Sequence, residues 1–424
     1  MLNRETLAYW GQNIIWHPVQ YNFYHSQARF NVSCAGRRSG KTWKAKRKCY
    51  VQFLRVPGLY FMGAPTFPQA KGIFWTDLKA AIPSTFWRKK PNETKCILYL
   101  RNGSDIEIIG FDAPARFEGR PWTGGMIDET DDLKESAWAT HIRPALDTIG
   151  LKTWVILCGV PEGKKLLFDL SKKPAYDSEW EYFHWLSADI LTPKAIESAK
   201  RDLSALQFRQ EYEASFETAE GVVYSDYDSN KNGTRKTIDP RLPLEWTHDF
   251  NYTPLSSCIL QEFEDGNYIL DEIILKSSVA KNSADEFVNK FKRHKNKRVT
   301  IYGDYSGVNG EKHSQSSDYT VIVEILRRND WIVTRRIKPN PRIKKGQNAL
   351  RAQICNSLGV RRLFVNIDKC RYVDKGLSRV ELKGGSAFQE LENEFQHITT
   401  ALRYWAFTKY EISTSLVGAF DYDD

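Results

Sequence analysis

Apolar positions in the first half of the chain fall in short blocks set between polar or helical stretches. Phe30 to Ala35 is a β-prone run, Trp43 to Leu54 reads as a helix, and Tyr60 to Thr66 is a second strand running into a turn. Ile73, Phe74 and Leu78 mark the apolar face of a helix over Gln69 to Leu78. The runs Ile97 to Leu100 and Asp105 to Ile109 flank Asn102-Gly103 and predict a hairpin. Gly124 to Ile127 is a weakly apolar strand, Lys152 to Cys158 a clearer one that stops at Gly159-Val-Pro161, and Pro193 to Tyr212 is helical. Strands alternating with helices predict an α/β domain with a largely parallel sheet.

From Glu245 the pattern changes. Trp246 to Asn251, Ser257 to Phe263 and Tyr268 to Leu275 predict three strands, the last two joined across Glu264-Asp-Gly-Asn267. A helix follows, with Ser283 expected as N-cap and Glu286 at the capping-box position. Arg298 to Asp304 predicts a fourth strand that ends in a carboxylate. Three antiparallel strands, a helix and a fourth strand, with Asp249 on the first and Asp304 on the fourth, are the start of an RNase H-like α/β nuclease fold. There the fourth strand lies beside the first, so the two carboxylates face each other. Such a pair holds Mg²⁺ or Mn²⁺ ions roughly 3.5 to 4 Å apart, activating water and stabilising the leaving oxygen of a phosphodiester.

The 424 residues exceed the size at which one core keeps growing. We expect residues 1–220 as a first α/β domain with a helical lid region, 221–243 as a connector and 244–424 as the nuclease-like domain. A formal net charge of +9 favours a polyanionic partner. No apolar run is long enough to span a bilayer, and Met1 to Gln12 lacks a signal peptide's apolar core, so a soluble intracellular protein without a membrane partner is expected. Seven cysteines without a C-x-x-C pair suggest neither a disulfide framework nor a zinc site, and Cys34 and Cys158, in apolar runs, read as packing residues.

Between the first strand and first helix lies Ala35-Gly36-Arg37-Arg38-Ser39-Gly40-Lys41-Thr42. It matches the phosphate-binding pattern G-x-x-x-x-G-K-[ST] except at Ala35, a replacement tolerable where that residue needs no positive φ. In such a loop Lys41 reaches the β- and γ-phosphates of ATP and Thr42 ligates Mg²⁺. Asp128-Glu129 at a strand end fits the acidic partner, Asp128 in the Mg²⁺ shell and Glu129 polarising the attacking water. Cys158-Gly159 ends the strand placed to sense the γ-phosphate. Gln20, just upstream of the loop, is a candidate adenine reader by its likeness to P-loop motors. In the second half Arg335, Arg336, Lys338, Arg342, Lys344 and Lys345 surround Pro339-Asn-Pro341 and read as a phosphate-tracking segment for duplex DNA, with Lys292 to Arg298 as an extension.

Taken in order, Arg37-Arg-Ser-Gly-Lys-Thr42, Ala64-Pro-Thr66 with Gln69-Ala-Lys71, Ile127-Asp-Glu129, Cys158-Gly159, Gln210-Glu-Tyr212 and Leu402-Arg-Tyr404 make the chain resemble the large terminase subunit of tailed bacteriophages. The resemblance implies an ATPase that drives double-stranded DNA through a portal into a procapsid, and an endonuclease that cuts concatemers. It also implies a small terminase subunit as partner, a ring, typically a pentamer, on the portal, and residence in the host bacterial cytoplasm and transiently at the capsid portal rather than in the mature virion. Two positions depart from the family. Where relatives carry a trans-acting arginine in a Leu-Arg-Gly-like stretch this chain has Phe117-Glu118-Gly119, leaving Arg116 or Arg120 as candidates. Where relatives carry an acid before Ala-Leu-Arg-Tyr this chain has Thr400, and His397, on the same helix face, is the candidate metal ligand, with Glu392 or Glu394 as alternatives. Two other classes share parts of the pattern: a helicase or repair ATPase fused to a nuclease, and an RNase H-like recombinase or junction nuclease in which Gly-Lys-Thr is incidental.

Overall fold

The computed structural model describes residues 17–134, 136–147, 150–250, 254–308, 317–384, 386 and 388–410. Met1 to Gln12 therefore lies outside the described residues. Contacts divide the chain into two compact units. The first runs to Ile196 and includes Phe208–Thr218; the second holds Glu197–Gln207 and the chain from Ala219 onward.

In the first unit a helix, α1 (Pro18–His25), precedes β1 (Phe30–Ala35), α2 (Lys41–Arg55) and β2 (Leu59–Ala64). The hairpin β3 (Ile97–Tyr99) and β4 (Asp105–Gly110) follows, then β5 (Trp122–Ile127), β6 (Trp154–Gly159) and β7 (Trp180–Trp185). The seven-stranded order is β3-β4-β2-β5-β6-β1-β7, parallel throughout except for the β3–β4 pair. β1 is buried along its whole length, as a strand covered on both faces must be. Phe30, Val32 and Cys34 pack into one core layer with Leu157 and Trp180, while Ala35 joins the opposite layer with Ala45 and Trp185. Because the strands run parallel, their C-terminal ends open along one edge of the sheet, where ligands of such sheets bind.

Two helical expectations change in detail. Over Gln69 to Leu78 the chain is helical from Phe67 to Ala81, with a wider π-type turn at Lys71–Trp75. Pro193 to Tyr212 is two helices, α3 (Pro193–Asp202) and α4 (Ala205–Tyr212). The break falls where Ser204 Oγ accepts the Gln207 N–H at 3.3 Å, the bond of a helix start.

The second unit is built on β8 (Leu244–Asp249), β9 (Leu255–Phe263) and β10 (Gly266–Leu275), then α5 (Ala280–Phe291) and β11 (Arg298–Gly303). α6 (Asp318–Arg328), β12 (Ile332–Arg335), α7 (Ile343–Ile354), β13 (Leu363–Asn366) and α8 (Gln396–Lys409) complete the part that positions the site. β9 is antiparallel to β8 and to β10, whereas β11 lies parallel beside β8, the arrangement expected of an RNase H-like fold. The predicted cap of α5 is misplaced: the helix starts after Val279, and Ser283 is a buried interior residue. Ala280, Ala284, Phe287 and Phe291 join one apolar cluster, so burial of that stripe sets the start in place of a polar cap. Residues 221–243, expected as a connector, belong to this unit: Val223 and Tyr224 are core residues, and Gly233–Thr234 pairs with β13 as the seventh strand.

β8 shows how the sheet holds its helix. Leu244 and Trp246 on one face pack with α5 and α6 residues, and Glu245, Thr247 and Asp249 alternate to the other. There Glu245 accepts from Trp405 Nε1 at 2.7 Å and Lys409 Nζ at 2.8 Å, Thr247 Oγ1 donates to Ala401 O at 2.6 Å, and Asp249 Oδ2 bonds His397 Nδ1 at 3.0 Å. Three alternate strand residues are thus tied to successive turns of α8. Ile398, Ala401, Leu402, Trp405 and Ala406 fill the space beneath, at helical spacing.

Candidate nucleotide and metal sites

At the C-terminal end of β1 the chain turns through Gly36 to Gly40 and enters α2 at Lys41. Ala35 stays in the strand and pairs with Trp185, so the missing first glycine is tolerated. Gly36 is the position where a side chain has no room. A Cβ there would stand 2.2 Å from Ser187 Oγ and 2.4 Å from Tyr212 O. The loop is braced by its surroundings: Arg37 N–H donates to Glu211 O at 2.6 Å, the Arg37 guanidinium pairs with Glu211 at 2.7 Å, and Ser187 Oγ donates to Arg37 O at 2.7 Å. Ser39 Oγ closes the turn on Gly36 O at 2.6 Å, with Arg38 and Gly40 both in the left-handed region. α2 then presents the unpaired amides of its first turn at the loop, an arrangement suited to an anion.

Gln20 is 1% exposed, and its Nε2 donates to Ser39 O at 2.7 Å. It braces the loop from α1, and in this structure its amide edge is not presented to solvent.

Thr42 Oγ1 donates to Asp128 Oδ2 at 2.8 Å, joining the loop to the end of β5 across 86 residues of sequence. Glu129 follows with φ of 52°, an uncommon conformation for a residue with a side chain. Burial, followed by the charge of Asp128, raises the Glu129 carboxyl above its usual range, while Lys41 and Arg37 oppose the shift. Cys158, at the end of β6 between β1 and β5, accepts from Ser33 Oγ at 3.2 Å, and burial pushes its thiol up. Gly159 lies against Leu167. Of the two candidate arginines, Arg120 is committed to Glu107 at 2.7 Å and lies 4.3 Å over the Trp122 ring. Arg116 is exposed on the short turn Pro114–Phe117.

In the second unit Gly303 is in register with His248, and Asp304 N–H donates to His248 O at 3.3 Å, so Asp304 and Asp249 end neighbouring parallel strands. Tyr319 Oη donates to Asp304 O at 2.9 Å, and burial together with the charges of Asp304 and Asp249 pushes the phenols of Tyr319 and Tyr404 up. His397 Nδ1 lies 3.0 Å from Asp249 Oδ2, and among the described residues no group of three or more His, Cys, Asp or Glu side chains could hold a metal ion. The imidazole instead bonds a carboxylate, as a partner orienting a ligand does. Thr400 is engaged elsewhere, donating to Gln396 O at 2.9 Å and accepting from Arg403 Nη2 at 2.6 Å. Glu394 is exposed and accepts from Tyr372 at 3.1 Å, and Glu392 is exposed. Two carboxylates with water completing the shell fit a hard divalent cation such as Mg²⁺.

Arg335, Arg336, Arg342 and Lys345 are exposed and Lys338 and Lys344 partly so. β12 runs parallel to β11, which brings this segment to the end of the sheet that carries Asp304. Lys292 to Arg298 does not extend it. That run ends on the first residue of β11, about 20 Å from Asp304 at six residues of strand, and Lys297 is turned onto Phe291 O, Lys292 O and the Trp331 ring. Sequence reasoning missed Asn340, whose Nδ2 donates to Asp304 Oδ1 at 2.6 Å. It also missed the role of Arg403, paired with the buried Glu390 at 2.6 Å.

No family model matches the chain. Among curated proteins it is 24% identical over 269 residues to the terminase large subunit of Thermus phage G20c, covering 54% of this chain and 55% of that protein. It is 26% identical over 210 residues to the terminase large subunit of Escherichia phage T5, 47% of each. The chain thus spans about half the length of the curated relatives it matches. Among solved structures, the large terminase of a thermophilic bacteriophage in complex with ADP shares the fold, with a TM-score of 0.64 at 15% identity over 93% of this chain and 99% of that one. In sequence over about half of its length and in fold over nearly all of it, the chain is similar to the large terminase subunits of bacteriophages.

Proposed function

We propose that this chain hydrolyses ATP to drive double-stranded DNA into a procapsid and cuts that DNA at a second, divalent-metal centre. The observation that carries the reading is the Thr42–Asp128 bond beside a half-buried Glu129, in a chain whose second unit sets Asp249 next to Asp304. Lys41 and the α2 amides bind the β- and γ-phosphates, and Thr42 and Asp128 hold the Mg²⁺ that neutralises phosphate charge. Glu129 orients the attacking water, and its raised carboxyl brings it toward the basicity such a role needs. Gln20 holds the loop in shape, Cys158-Gly159 senses the γ-phosphate, and Arg116 is the trans-acting arginine, since Arg120 is held by Glu107.

In the nuclease, Asp249 and Asp304 hold Mg²⁺ or Mn²⁺, which supplies the charge that activates water and steadies the leaving oxygen. His397 orients Asp249, and Arg335 to Lys345 track duplex phosphates. The partners are a portal, a procapsid and a small terminase subunit, with a ring of this chain on the portal in the host cytoplasm. Among the described residues no helix is long and apolar enough to cross a membrane. The deciding experiment combines the protein with empty capsids, duplex DNA and ATP and measures DNA protected from added DNase. ATP-dependent protection that Lys41→Ala removes is the expected result. Unwinding of a blunt duplex without protection would favour a helicase instead.

A further inference from the structure

Asp304 is held by more than its own strand. Its Oδ1 accepts the Ser306 N–H at 2.9 Å and Asn340 Nδ2 at 2.6 Å, and its Oδ2 accepts the Ser306 hydroxyl. Asn340 is held in turn: its Oδ1 accepts the Tyr305 N–H at 2.9 Å. One side-chain amide thus makes a two-point bridge between the turn carrying the carboxylate and a segment 36 residues away. A carboxylate has about four lone-pair positions, and three donors occupy Asp304 here, which fixes both its rotamer and the direction left for a cation.

The segment that supplies this amide is the basic one. Lys338 and Arg342 stand two residues to either side of Asn340, and Pro339 and Pro341 adjoin it. The two prolines restrict their own φ and bias the residue before each toward extended backbone, so the tip is stiff. The Cα atoms of Lys338 and Arg342 each lie within about two residues of extended chain, roughly 7 Å, of that of Asn340, so a duplex phosphate seated on either side chain is carried by the same stiff tip.

We propose that Asn340 is a positioning residue: it locks the Asp304 carboxylate to the basic segment, so that seating duplex phosphates there and holding a divalent cation at Asp304 become one linked event. The inference rests on the nuclease reading above. Coupling of this kind is reciprocal: DNA tightens the cation and the cation tightens DNA. The amide touches neither DNA nor cation, and acts only through Asp304.

The test uses the full chain without nucleotide. Mn²⁺ binding is measured by electron paramagnetic resonance of the free ion, and the site followed is the one that Asp304→Ala removes. Binding of a cleavage-resistant phosphorothioate duplex is measured in chelator and in Mn²⁺. Asn340→Leu keeps bulk without a donor, and Asn340→Ala removes both. Both variants are expected to weaken Mn²⁺ binding by about 10-fold or more. Their duplex affinity in chelator should stay within about twofold of wild type, and the gain in duplex affinity on adding Mn²⁺ should vanish. Unchanged Mn²⁺ affinity in both variants overturns the proposal, and so does a matching loss of duplex affinity in chelator, which would mean that the segment had collapsed. A wild-type chain with no Mn²⁺ site sensitive to Asp304→Ala overturns the nuclease centre itself, and the coupling with it.

Discussion

Replacing Arg403 by methionine should unfold the second unit early without touching the proposed chemistry. Arg403 Nη1 donates to Glu390 Oε1 at 2.6 Å; the two side chains are 9% and 1% exposed, and Gln347 Nε2 donates to the same oxygen at 2.9 Å. Methionine keeps the stem and its packing but leaves a carboxylate out of water with an amide as its remaining donor. Removing one partner of a buried ion pair costs about 3 to 5 kcal/mol, which for a unit of this size is a fall in melting temperature of roughly 10 °C. Replacing both partners, Arg403→Met with Glu390→Met, takes the unpaired charge away and should recover all but about 1 kcal/mol of the loss. Calorimetry of wild type, the two single variants and the double variant supplies the cycle. A double variant as unstable as the sum of the singles would refute the reasoning, because the pair would then contribute nothing as a pair.

Gly36→Ala should reduce ATP binding at least tenfold in titration calorimetry, since its Cβ would lie 2.2 Å from Ser187 Oγ, 2.4 Å from Tyr212 O and 2.7 Å from Ser187 N, and the loop must move to admit it. Glu129→Gln should abolish ATP turnover and raise the melting temperature at pH 7 to 8. Burial and Asp128 lift the folded-state pKa of Glu129 above its unfolded value, so its contribution to stability is present below the ordinary carboxylate range and lost as pH rises through the folded value. A permanently neutral glutamine escapes that loss, and a melting temperature below wild type at pH 8 would contradict the sign. Arg116→Ala should lower ATPase of the capsid-bound assembly while leaving melting unchanged. Arg120→Ala should instead lower stability, by up to about 1 kcal/mol and with it the melting temperature, through its half-buried pair with Glu107 and its seat on Trp122.

The candidate phosphate loop is legible because the pattern that marks it is local, a strand, a Gly-Lys-Thr turn and a helix that starts at Lys41, whereas the approach of Ser187 and Tyr212 that bars a side chain at Gly36 is not. Asp249 and Asp304 are legible for another reason, since a period of two fixes which face of a strand each residue takes once strand order is known. What fails is decided by contacts without a period. Ser283 has the spacing of a cap, yet the stripe from Ala280 to Phe291 starts the helix earlier because its burial outweighs one hydrogen bond. Residues 221–243 look like a polar connector, but Val223 and Tyr224 fill a hole in the core that only the folded unit defines. Asn340 leaves no trace in the sequence, because its role depends on β12 returning beside β11. His397 is found only as a departure from the family at Thr400, and its Nδ1 stands 3.0 Å from Asp249 Oδ2.

The ties between β8 and α8 also limit how the length of this part of the chain can change. Two residues of strand advance about 6.7 Å and four residues of helix about 6 Å, so Glu245, Thr247 and Asp249 meet Trp405 and Lys409, Ala401 and His397 like two rulers with matching divisions. Inserting one residue between His397 and Ala401 would swing the histidine about 100° around the helix axis, off Asp249 and away from the sheet. Deleting one would do the same in the other sense. A change of four residues in the helix matched by two in the strand would keep the divisions aligned. Insertions and deletions in α8 are therefore expected to come in whole turns, and the tolerated single-residue changes to fall after Lys409 or in the loop before Gln396.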